Sequence, residues 1–404
     1  MRYTIGQLAE IIDGDRGKNY PKQDEFYPQG YCLFLNTGNV TKEGLTFEEN
    51  QFITKEKDEA LRKGKLKRGD IVYTTRGTVG NAGYYNSNVP YENVRINSGM
   101  VILRANGEIV DARFLYQILK SEYYRPYFKQ YCTGSAQPQL PIKNFSQIYL
   151  NVPDIKNQHR IADILSAYDD LIENNQKQIK LLEEAAQRLY KEWFVDLRFP
   201  GHENTKIVDG VPEGWSKSTV SEVSAVLRRG ISPKYNEKAR GIVINQKCIR
   251  QTIVSYDEAR TQEKKYPAEL EMMESDIVIC STGAGTLGRV GQIFEAKGNA
   301  TLDSHVTLIR ANEKIGQQSL FWSLKMKQDY LMSAGKGSTN QLELSRETIG
   351  SCEILIPERK IAEQVEKNFV AIHNKMKECS MQIARLRETR DLLLPKLMSG
   401  EVEV

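Results

Sequence analysis

One glycine-rich stretch has the spacing of a dinucleotide-binding loop. Gly283-Ala-Gly285-Thr-Leu-Gly288 follows an apparent strand, and a loop of this kind cradles a pyrophosphate where a helix begins. The residues that follow it, RVGQIFEAK, favour another strand instead of a helix. The first half of the chain carries a similar Gly77-Thr-Val-Gly80 without the leading glycine. The sequence therefore predicts a tight turn between strands, and a dinucleotide enzyme that uses these glycines is the less favoured alternative.

Other catalytic signatures are missing from the sequence. GKGS at Gly335 to Ser338 falls short of a Walker A loop, because Tyr330 stands where that loop needs its first glycine. The four histidines show no metal-ligand spacing, and no G-x-S-x-G, N-P-P-[YF] or D-P-P-[YF] stretch occurs. We therefore expect a non-catalytic chain that has neither a metal site nor a cofactor of its own.

Polar loops in both halves of the chain carry groups that suit DNA. Arg and Lys match guanine O6 and N7, Asn and Gln match adenine N6 and N7, and Ser and Thr hold phosphates. A single polar loop of this kind is usually a solvated surface turn. Three such loops at matching places in the two halves indicate a binding face instead. The candidates in the first half are Arg16, Lys18, Tyr20, Arg76, Asn81, Tyr84, Ser135, Gln137, Gln139 and Lys143. The candidates in the second half are Arg229, Lys234, Tyr235, Thr282, Arg289, Lys336, Ser338, Thr339, Asn340 and Gln341.

Two long helices must position these loops. Alternate steps of three and four residues from Leu165 to Trp193 give the spacing of a coiled-coil seam, and the same frame returns 204 residues later, from Phe369 to Leu397. Asn175 and Arg390 are polar positions within it, and such residues usually fix register. Either the two stripes pair with each other or each helix lies on its own domain; the sustained spacing favours pairing. The predicted seam residues are Leu165, Ile172, Asn175, Ile179, Leu182, Leu189, Phe369, Ile372, Met376, Ile383, Leu386 and Leu393.

The chain is therefore an internal duplication of a globular segment followed by a long helix. We expect globular domains at residues 1–155 and 200–357, and spacer helices at 156–199 and 358–404. Short β-branched and aromatic runs separated by turns predict a twisted, largely antiparallel sheet in each domain, and YTIGQLAEII predicts an opening helix. The expected fold class is α+β, with two pseudo-symmetric α/β domains separated by two long coiled-coil helices.

Composition sets further limits on function. Charged residues make up 27% of the 404 positions and the net charge is +4, which permits nucleic-acid binding without requiring it. The six cysteines form no C-x-x-C pair, as expected for free thiols. No signal-peptide core and no apolar run near the roughly 18 residues of a membrane span occur. We expect a cytoplasmic protein that has no membrane contact.

Several motifs, taken together and in order, resemble the DNA-specificity subunit of Type I restriction-modification systems over essentially the whole chain. They are VPEGWSKSTVSEV, the G-T-[VL]-G turns, GSAQPQLPIKNFSQIYLNVPDIKNQHRIADIL, KEWFVDLRFPG and LRETRDLLLPKLMSGEVEV. Two departures occur: the first half lacks the P-x-G-W found at Pro212 to Trp215, and the second copy shortens NQHRIA to Ile361-Ala362 directly after PERK.

The resemblance implies two target-recognition domains that read the halves of a bipartite target in double-stranded DNA, held apart by antiparallel helices. It also implies two adenine-N6 methyltransferase subunits and two ATP-dependent restriction and translocase subunits as partners, which would bind S-adenosylmethionine, ATP and Mg. A two-domain protein-interaction scaffold without DNA specificity is the alternative, and it would lack a basic face along the paired loops. We expect base contacts in the two half-sites from Arg76, Asn81, Gln137 and Gln139, and from Arg289, Ser338, Asn340 and Gln341.

Overall fold

A computed structural model of the protein describes residues 1–134, 137–283, 285–337 and 342–403. The chain divides into two compact units, one formed by Met1–Asn174 with Ile383–Val404 and the other by Asn175–Gln382. Each unit contains one globular segment together with part of both long helices. The division thus falls within the helices, whereas the sequence analysis placed its boundaries near their ends.

The predicted β-branched and aromatic runs form short strands in the first unit. Strands β2, β10, β7 and β8 form one antiparallel sheet in that order, and β6, β3 and β9 form a second, while β1 pairs with β11 and β4 with β5. The strands are β1 (Arg2–Thr4), β2 (Ala9–Asp13), β3 (Cys32–Leu35), β4 (Val40–Thr41), β5 (Gly44–Leu45), β6 (Phe52–Ile53), β7 (Ile71–Thr74), β8 (Ala82–Tyr84), β9 (Val94–Ile96), β10 (Met100–Ala105) and β11 (Tyr149–Asn151).

The second unit repeats this topology. Its four-stranded sheet has the order β15-β21-β18-β19, its three-stranded sheet has the order β17-β16-β20, and β14 pairs with β22 as β1 does with β11. The strands are β12 (Ile207–Val208), β13 (Val211–Pro212), β14 (Ser216–Thr219), β15 (Ser224–Arg229), β16 (Gly241–Ile244), β17 (Arg260–Gln262), β18 (Ile277–Cys280), β19 (Val290–Gln292), β20 (Ala300–Leu302), β21 (Val306–Ala311) and β22 (Glu353–Ile356).

One parallel pair in each unit departs from a wholly antiparallel arrangement. Strand β3 runs parallel to β9, and β16 runs parallel to β20. Parallel neighbours need a long crossover, and the intervening chain supplies it because it holds β7 and β8, or β18 and β19, of the neighbouring sheet. The sequence pattern predicts several of the strands but not these long-range partners.

Ten α-helices complete the described part of the chain. The predicted opening helix is only partly helical: α1 ends at Leu8, and Ala9–Asp13 becomes a strand because Ile11 and Ile12 pair with β10. The helices are α1 (Ile5–Leu8), α2 (Lys55–Ala60), α3 (Ala112–Lys120), α4 (Arg125–Lys129), α5 (Ile142–Ser146), α6 (Ile155–Tyr190), α7 (Gln317–Met326), α8 (Gln328–Ser333), α9 (Arg346–Gly350) and α10 (Arg359–Ser399).

The four-stranded sheet of each unit is buried on both faces. In β7, Ile71 and Tyr73 face a core shared with Phe114 of α3, while Val72 faces a second core shared with the three-stranded sheet. Side chains alternate between the two faces of a strand, so an uninterrupted apolar run is what such a sheet requires. The same alternation recurs in β18 of the second unit.

The apolar stripes of α6 and α10 are covered within each unit. In the first unit, Leu165 shares a core with Leu394 and Leu397, and Asp169 bonds to Arg390, so the two helices run antiparallel there. In the second, Gln178 lies 3.7 Å from Cys379. Two leucines of α6 that do not belong to the predicted seam, Leu171 and Leu181, are 51% and 63% exposed. Within the frame, the buried positions are Leu165, Ile172, Asn175, Phe369, Met376 and Ile383, and the half-buried ones are Ile179, Leu182, Leu189, Ile372, Leu386 and Leu393.

Candidate nucleic-acid interface

Three polar loops meet at one edge of the first unit. We name them A1 (residues 13–22), B1 (74–81) and C1 (132–134 and 137–143). Loop C1 joins B1 through a hydrogen bond from the Leu140 amide to the Thr75 carbonyl at 2.9 Å. The Thr75 amide in turn donates to Gly99 at 2.9 Å, and Arg16 of A1 donates to the Ser98 carbonyl at 3.2 Å. The turn before β10 therefore holds A1 and B1 side by side.

The second unit brings its own three loops together in the same way. We name them A2 (228–235), B2 (281–283 and 285–289) and C2 (335–337 and 342–344). The Leu344 amide donates to the Ser281 carbonyl at 2.8 Å, matching the bond between Leu140 and Thr75. The Ser281 amide donates to the His305 carbonyl at 2.8 Å, and the Gly230 amide to Val306 at 3.0 Å. The turn before β21 thus holds A2 against B2.

A glycine in each A loop permits the close approach to this turn. A Cβ atom on Gly14 would overlap the carbonyl oxygen of Asn97, and one on Gly230 would overlap the carbonyl oxygens of Leu302 and Asp303. Only glycine fits such a backbone contact. The same kind of close contact between a glycine and the backbone therefore holds A1 and A2 in place.

The glycines of B1 and B2 form hairpin turns, which confirms the prediction of a tight turn between strands. Gly77 has a φ of +70°, and Gly285 and Gly288 have φ values of +74° and +75°. Positive φ is a conformation that glycine adopts readily. Strand β19, antiparallel to β18, follows the B2 glycines directly. The helix that a dinucleotide loop requires does not occur there, which excludes that use of the motif.

Several predicted candidates of the first unit lie on the surface of these loops. Arg16 is exposed and pairs with Asp13 at 3.2 Å. Within the described ranges, the side chains of the others have no hydrogen-bond or ion-pair partner, so their donors are available to a ligand. These exposed residues are Lys18, Arg76, Gln137, Gln139 and Lys143.

The structure corrects the proposed role of Asn81, and it gives Tyr84 and Tyr20 aromatic partners within the protein. Asn81 is buried, and its amide donates to the Val40 carbonyl at 2.9 Å, so it holds loop B1 in place rather than facing outward. Tyr84 stacks on Tyr116 of α3 with ring centroids 5.5 Å apart. Tyr20 packs edge-on against Phe34. Asn81 is therefore removed from the accessible face, whereas Tyr84 and Tyr20 are half-buried and keep part of their surface exposed.

Four of the six candidates of the second unit that the structure describes have protein partners. Lys234 pairs with Glu263, and the guanidinium of Arg260 lies 3.4 Å from the centroid of the exposed Tyr235 ring. Lys336 is exposed and Arg289 is half-buried, and neither side chain has a hydrogen bond or ion pair to the part of the chain that the structure describes. Ser338, Thr339, Asn340 and Gln341, like Ser135 of the first half, lie outside the described residues.

A polar cluster at the junction of loops A2, B2 and C2 contains residues that sequence analysis missed. Arg229 forms an ion pair with Glu343, and the half-buried Thr282 bonds through its hydroxyl to His305 Nδ1 at 2.7 Å. Burial raises the pKa of Asp303, and the hydrogen bond from the His305 amide offsets only part of that effect. Glu343 is 204 residues after Gln139, the offset of the two helices, and that spacing is the signal that could have identified it.

Among the described residues, no group of three or more His, Cys, Asp or Glu side chains is arranged to hold a metal ion. Nor does any helix in those ranges have the length and apolarity that crossing a membrane demands.

Comparison with known proteins decides the family. A family model described as the Type I restriction modification DNA specificity domain matches residues 1–184 and 212–378.

The chain belongs to this family.

Two relatives with specificity-subunit names are similar to the chain over most of their length. The chain is 27% identical to the Type I restriction enzyme HindI specificity subunit of Haemophilus influenzae, covering 98% of this chain and 100% of that one. It is 26% identical to the MjaIX specificity subunit of Methanocaldococcus jannaschii, covering 86% and 81%. A crystal structure of a Type I restriction-modification S subunit from M. genitalium covers 98% of this chain and 95% of that chain, with a TM-score of 0.55 and 17% identity. The similarity of fold confirms the predicted fold class.

Proposed function

We propose that this Type I specificity subunit reads a bipartite target in double-stranded DNA, with one half read by each unit. The observation that carries the proposal is the matched junction of three polar loops in two units of one topology. The backbone contacts of the junction repeat while its side chains differ. Such an arrangement suits two readers built on one scaffold that recognise different bases.

Exposed cations along these loops support DNA over a protein partner. Lys18, Arg76 and Lys143 are exposed in the first unit and Lys336 in the second, and none has an ion-pair partner among the described residues. When unpaired Lys and Arg side chains bind phosphates, the counterions condensed on the DNA are released. This release gives most of the affinity for DNA. The interaction scaffold considered from the sequence would have no reason to place cations along these loops.

Catalysis in this proposal belongs to partner subunits. Two methyltransferase subunits that bind S-adenosylmethionine would modify adenine N6, and two restriction and translocase subunits that use ATP and Mg would act on unmodified DNA. This chain would contribute target recognition alone. That division of labour agrees with the absence of catalytic motifs from its sequence.

The length of the two long helices can be tested as the spacer between the two half-sites. Helix α6 has 36 residues, which at about 1.5 Å per residue corresponds to roughly 50 Å. We infer that helix length sets the number of unread base pairs between the two half-sites. Deleting one heptad from each helix, residues 172–178 and 380–386, preserves the antiparallel partners and removes about 10 Å. The unread spacer should shorten by about three base pairs at about 3.4 Å each, and an unchanged spacer would contradict this inference.

The function itself is tested by mapping N6-methyladenine in cells that carry the partner subunits, with and without this chain. We expect a two-part methylated sequence that disappears when the chain is removed and returns when it is restored. Methylation that persists without the chain would refute the proposal. A pull-down of methyltransferase and restriction subunits by the full chain tests the proposed partners separately.

A further inference from the structure

Glu343 lies at the crossing of loops B2 and C2. Its backbone forms bridges with Thr282 and with Lys336, and the two hydrogen bonds to Lys336 are both 2.9 Å. Its side chain is exposed on the same edge of the unit as the exposed Lys336. A carboxylate at this place is unexpected on a surface that must approach phosphates, because like charges repel. Its presence calls for a ligand group that donates hydrogen bonds.

The same backbone position in the first unit holds an amide. Gln139 bridges Arg76 and Thr133, and its backbone exchanges hydrogen bonds of 2.7 and 2.9 Å with Thr133. Gln139 and Glu343 have nearly the same shape but different hydrogen-bonding groups, since the carboxylate only accepts and the amide both donates and accepts. The backbone arrangement of the junction is therefore the same in both units. The side-chain group at this position differs, because it is an amide in Gln139 and a carboxylate in Glu343.

Arg229 orients one side of the Glu343 carboxylate. Its Nη1 pairs with Glu343 Oε1, while its Nη2 lies 3.4 Å from the carbonyl oxygens of both Ser281 and Leu344. The backbone thus holds the guanidinium beside the carboxylate. Within the part of the chain that the structure describes, Glu343 Oε2 accepts no hydrogen bond. The unengaged Oε2 of Glu343 therefore lies beside the Arg229 guanidinium, whose Nε is buried and whose Nη1 and Nη2 already donate to Glu343 and to the two carbonyls.

This pattern complements one base pair in the major groove. A C·G pair presents the cytosine N4 amino donor beside the guanine O6 and N7 acceptors. Glu accepts from cytosine N4, and Arg donates to guanine O6 and N7. In the first unit the strand position of Arg229, paired with Thr307, is held by Asp13, paired with Val101. The first unit therefore lacks this arrangement.

We propose that Arg229 and Glu343 together read a single C·G base pair in the half-site of the second unit. The inference rests on the proposed function and adds the residues and the base pair to it. Glu343 is a specificity-determining residue, and its pairing with Arg229 in the absence of DNA keeps the two side chains adjacent. When DNA binds, the Nη groups of Arg229 exchange Glu343 and the two carbonyls for guanine O6 and N7.

The test maps N6-methyladenine in cells that express the full chain with its partner subunits. E343Q should lower methylation of sites with cytosine at one position of the second half-site by about tenfold relative to sites with adenine there, because glutamine matches adenine N6 and N7. The other positions and the first half-site should not change. E347Q, at an exposed glutamate in α9, is the matched control and should leave the whole pattern unaltered.

A charge swap separates base reading from a purely structural ion pair. R229E/E343R restores the pair with reversed polarity, and base reading predicts a change of preference from C·G to G·C at that position. Recovery of the original preference by the swap would overturn the proposal. So would an unchanged pattern in E343Q, or a uniform loss across the second half-site. Methylation that does not depend on the chain at all would instead refute the proposed function.

Discussion

Asp169 of α6 accepts a hydrogen bond from Arg390 of α10 at 2.7 Å, which joins the two long helices within the first unit. Lys120 of α3 donates to the same carboxylate at 2.8 Å, and Gln117 donates to its other oxygen at 2.6 Å. Burial raises the pKa of Asp169, but the charges of Lys120 and Arg390 and these hydrogen bonds outweigh it and lower the pKa overall. The network fixes the helices to the globular segment that they carry.

Replacing Asp169 should therefore destabilise the protein. D169N keeps the shape of the side chain but leaves Lys120 without its counter-charge and Arg390 with Asp391 alone, and we expect a loss of about 3 kcal/mol. D163N is the control: Asp163 also lies on α6 and pairs with Arg113 at 2.7 Å, but it is exposed. Its loss should be below about 1 kcal/mol. Urea unfolding measures both, and equal losses would contradict the role given to the Asp169 network.

Glu366 of α10 caps helix α7 in the second unit. Its carboxylate accepts hydrogen bonds from the amides of Gln318 and Ser319 at 3.0 and 2.8 Å, and from the Ser319 hydroxyl at 2.7 Å. E366A removes these acceptors and should reduce the free energy of unfolding by about 1–2 kcal/mol. E363A removes only an exposed pair with Arg359 and should change it by less than about 0.5 kcal/mol. A loss in E363A as large as in E366A would rule out the cap as the cause.

His373 should make stability depend on pH. Burial beside Phe294 lowers the pKa of His373 to about 4; the charge of Glu274 opposes this shift, and that of Lys377 adds to it. The neutral ring faces Gln292 Oε1 at 3.0 Å, and since the Gln292 amide nitrogen donates to the Ser275 carbonyl, His373 Nδ1 carries the proton. The unfolded chain, with a histidine pKa near 6.5, binds the proton first. The stabilisation is present above about pH 6.5 and is lost as pH falls towards 4.

Unfolding measured between pH 7 and pH 4 tests this prediction. The wild-type chain should lose up to about 3 kcal/mol through His373, on top of the contributions of its carboxylates. H373Q should have a flatter profile over that range, whereas H159Q, at an exposed histidine of α6, should retain the wild-type slope. A wild-type slope in H373Q would show that the histidine does not govern this dependence.

Gly230 should be required for recognition by the second unit alone. G230A forces the backbone of loop A2 away from Leu302 and Asp303 and so displaces Arg229. We expect specificity to weaken in the second half-site while the first half-site remains intact. G298A, where a Cβ meets no atom within 4 Å, is the control in the same unit. Methylation mapping of the two variants measures the effect, and a normal second half-site in G230A would exclude the close approach as a requirement.

The sequence predicted the elements governed by local pattern. The helices follow from the spacing that runs through Leu165 and Phe369, and the glycine turn at Gly285 follows from the strands on either side of it. The parallel pairing of β3 with β9 was not predictable, because it depends on a partner far along the chain. Local pattern sets periodicity, whereas tertiary contacts set strand order.

The site was predicted at the level of loops but not of all side chains. Asn81 and Arg76 belong to one polar loop, and composition could not show that the first is buried on Val40 while the second is exposed. Glu343 was missed because an acidic residue is not a typical DNA ligand. Its importance appears only when loops B2 and C2 meet and place it beside Arg229.

The central claim is that each unit reads one half of a two-part DNA sequence. N6-methyladenine mapping of two variants, R76A/Q139A in the first unit and R289A/K336A in the second, tests it most directly. We predict that each variant relaxes one part of the methylated sequence and leaves the other part unchanged. Relaxation of the same part by both variants, or a wild-type sequence in both, would contradict the account.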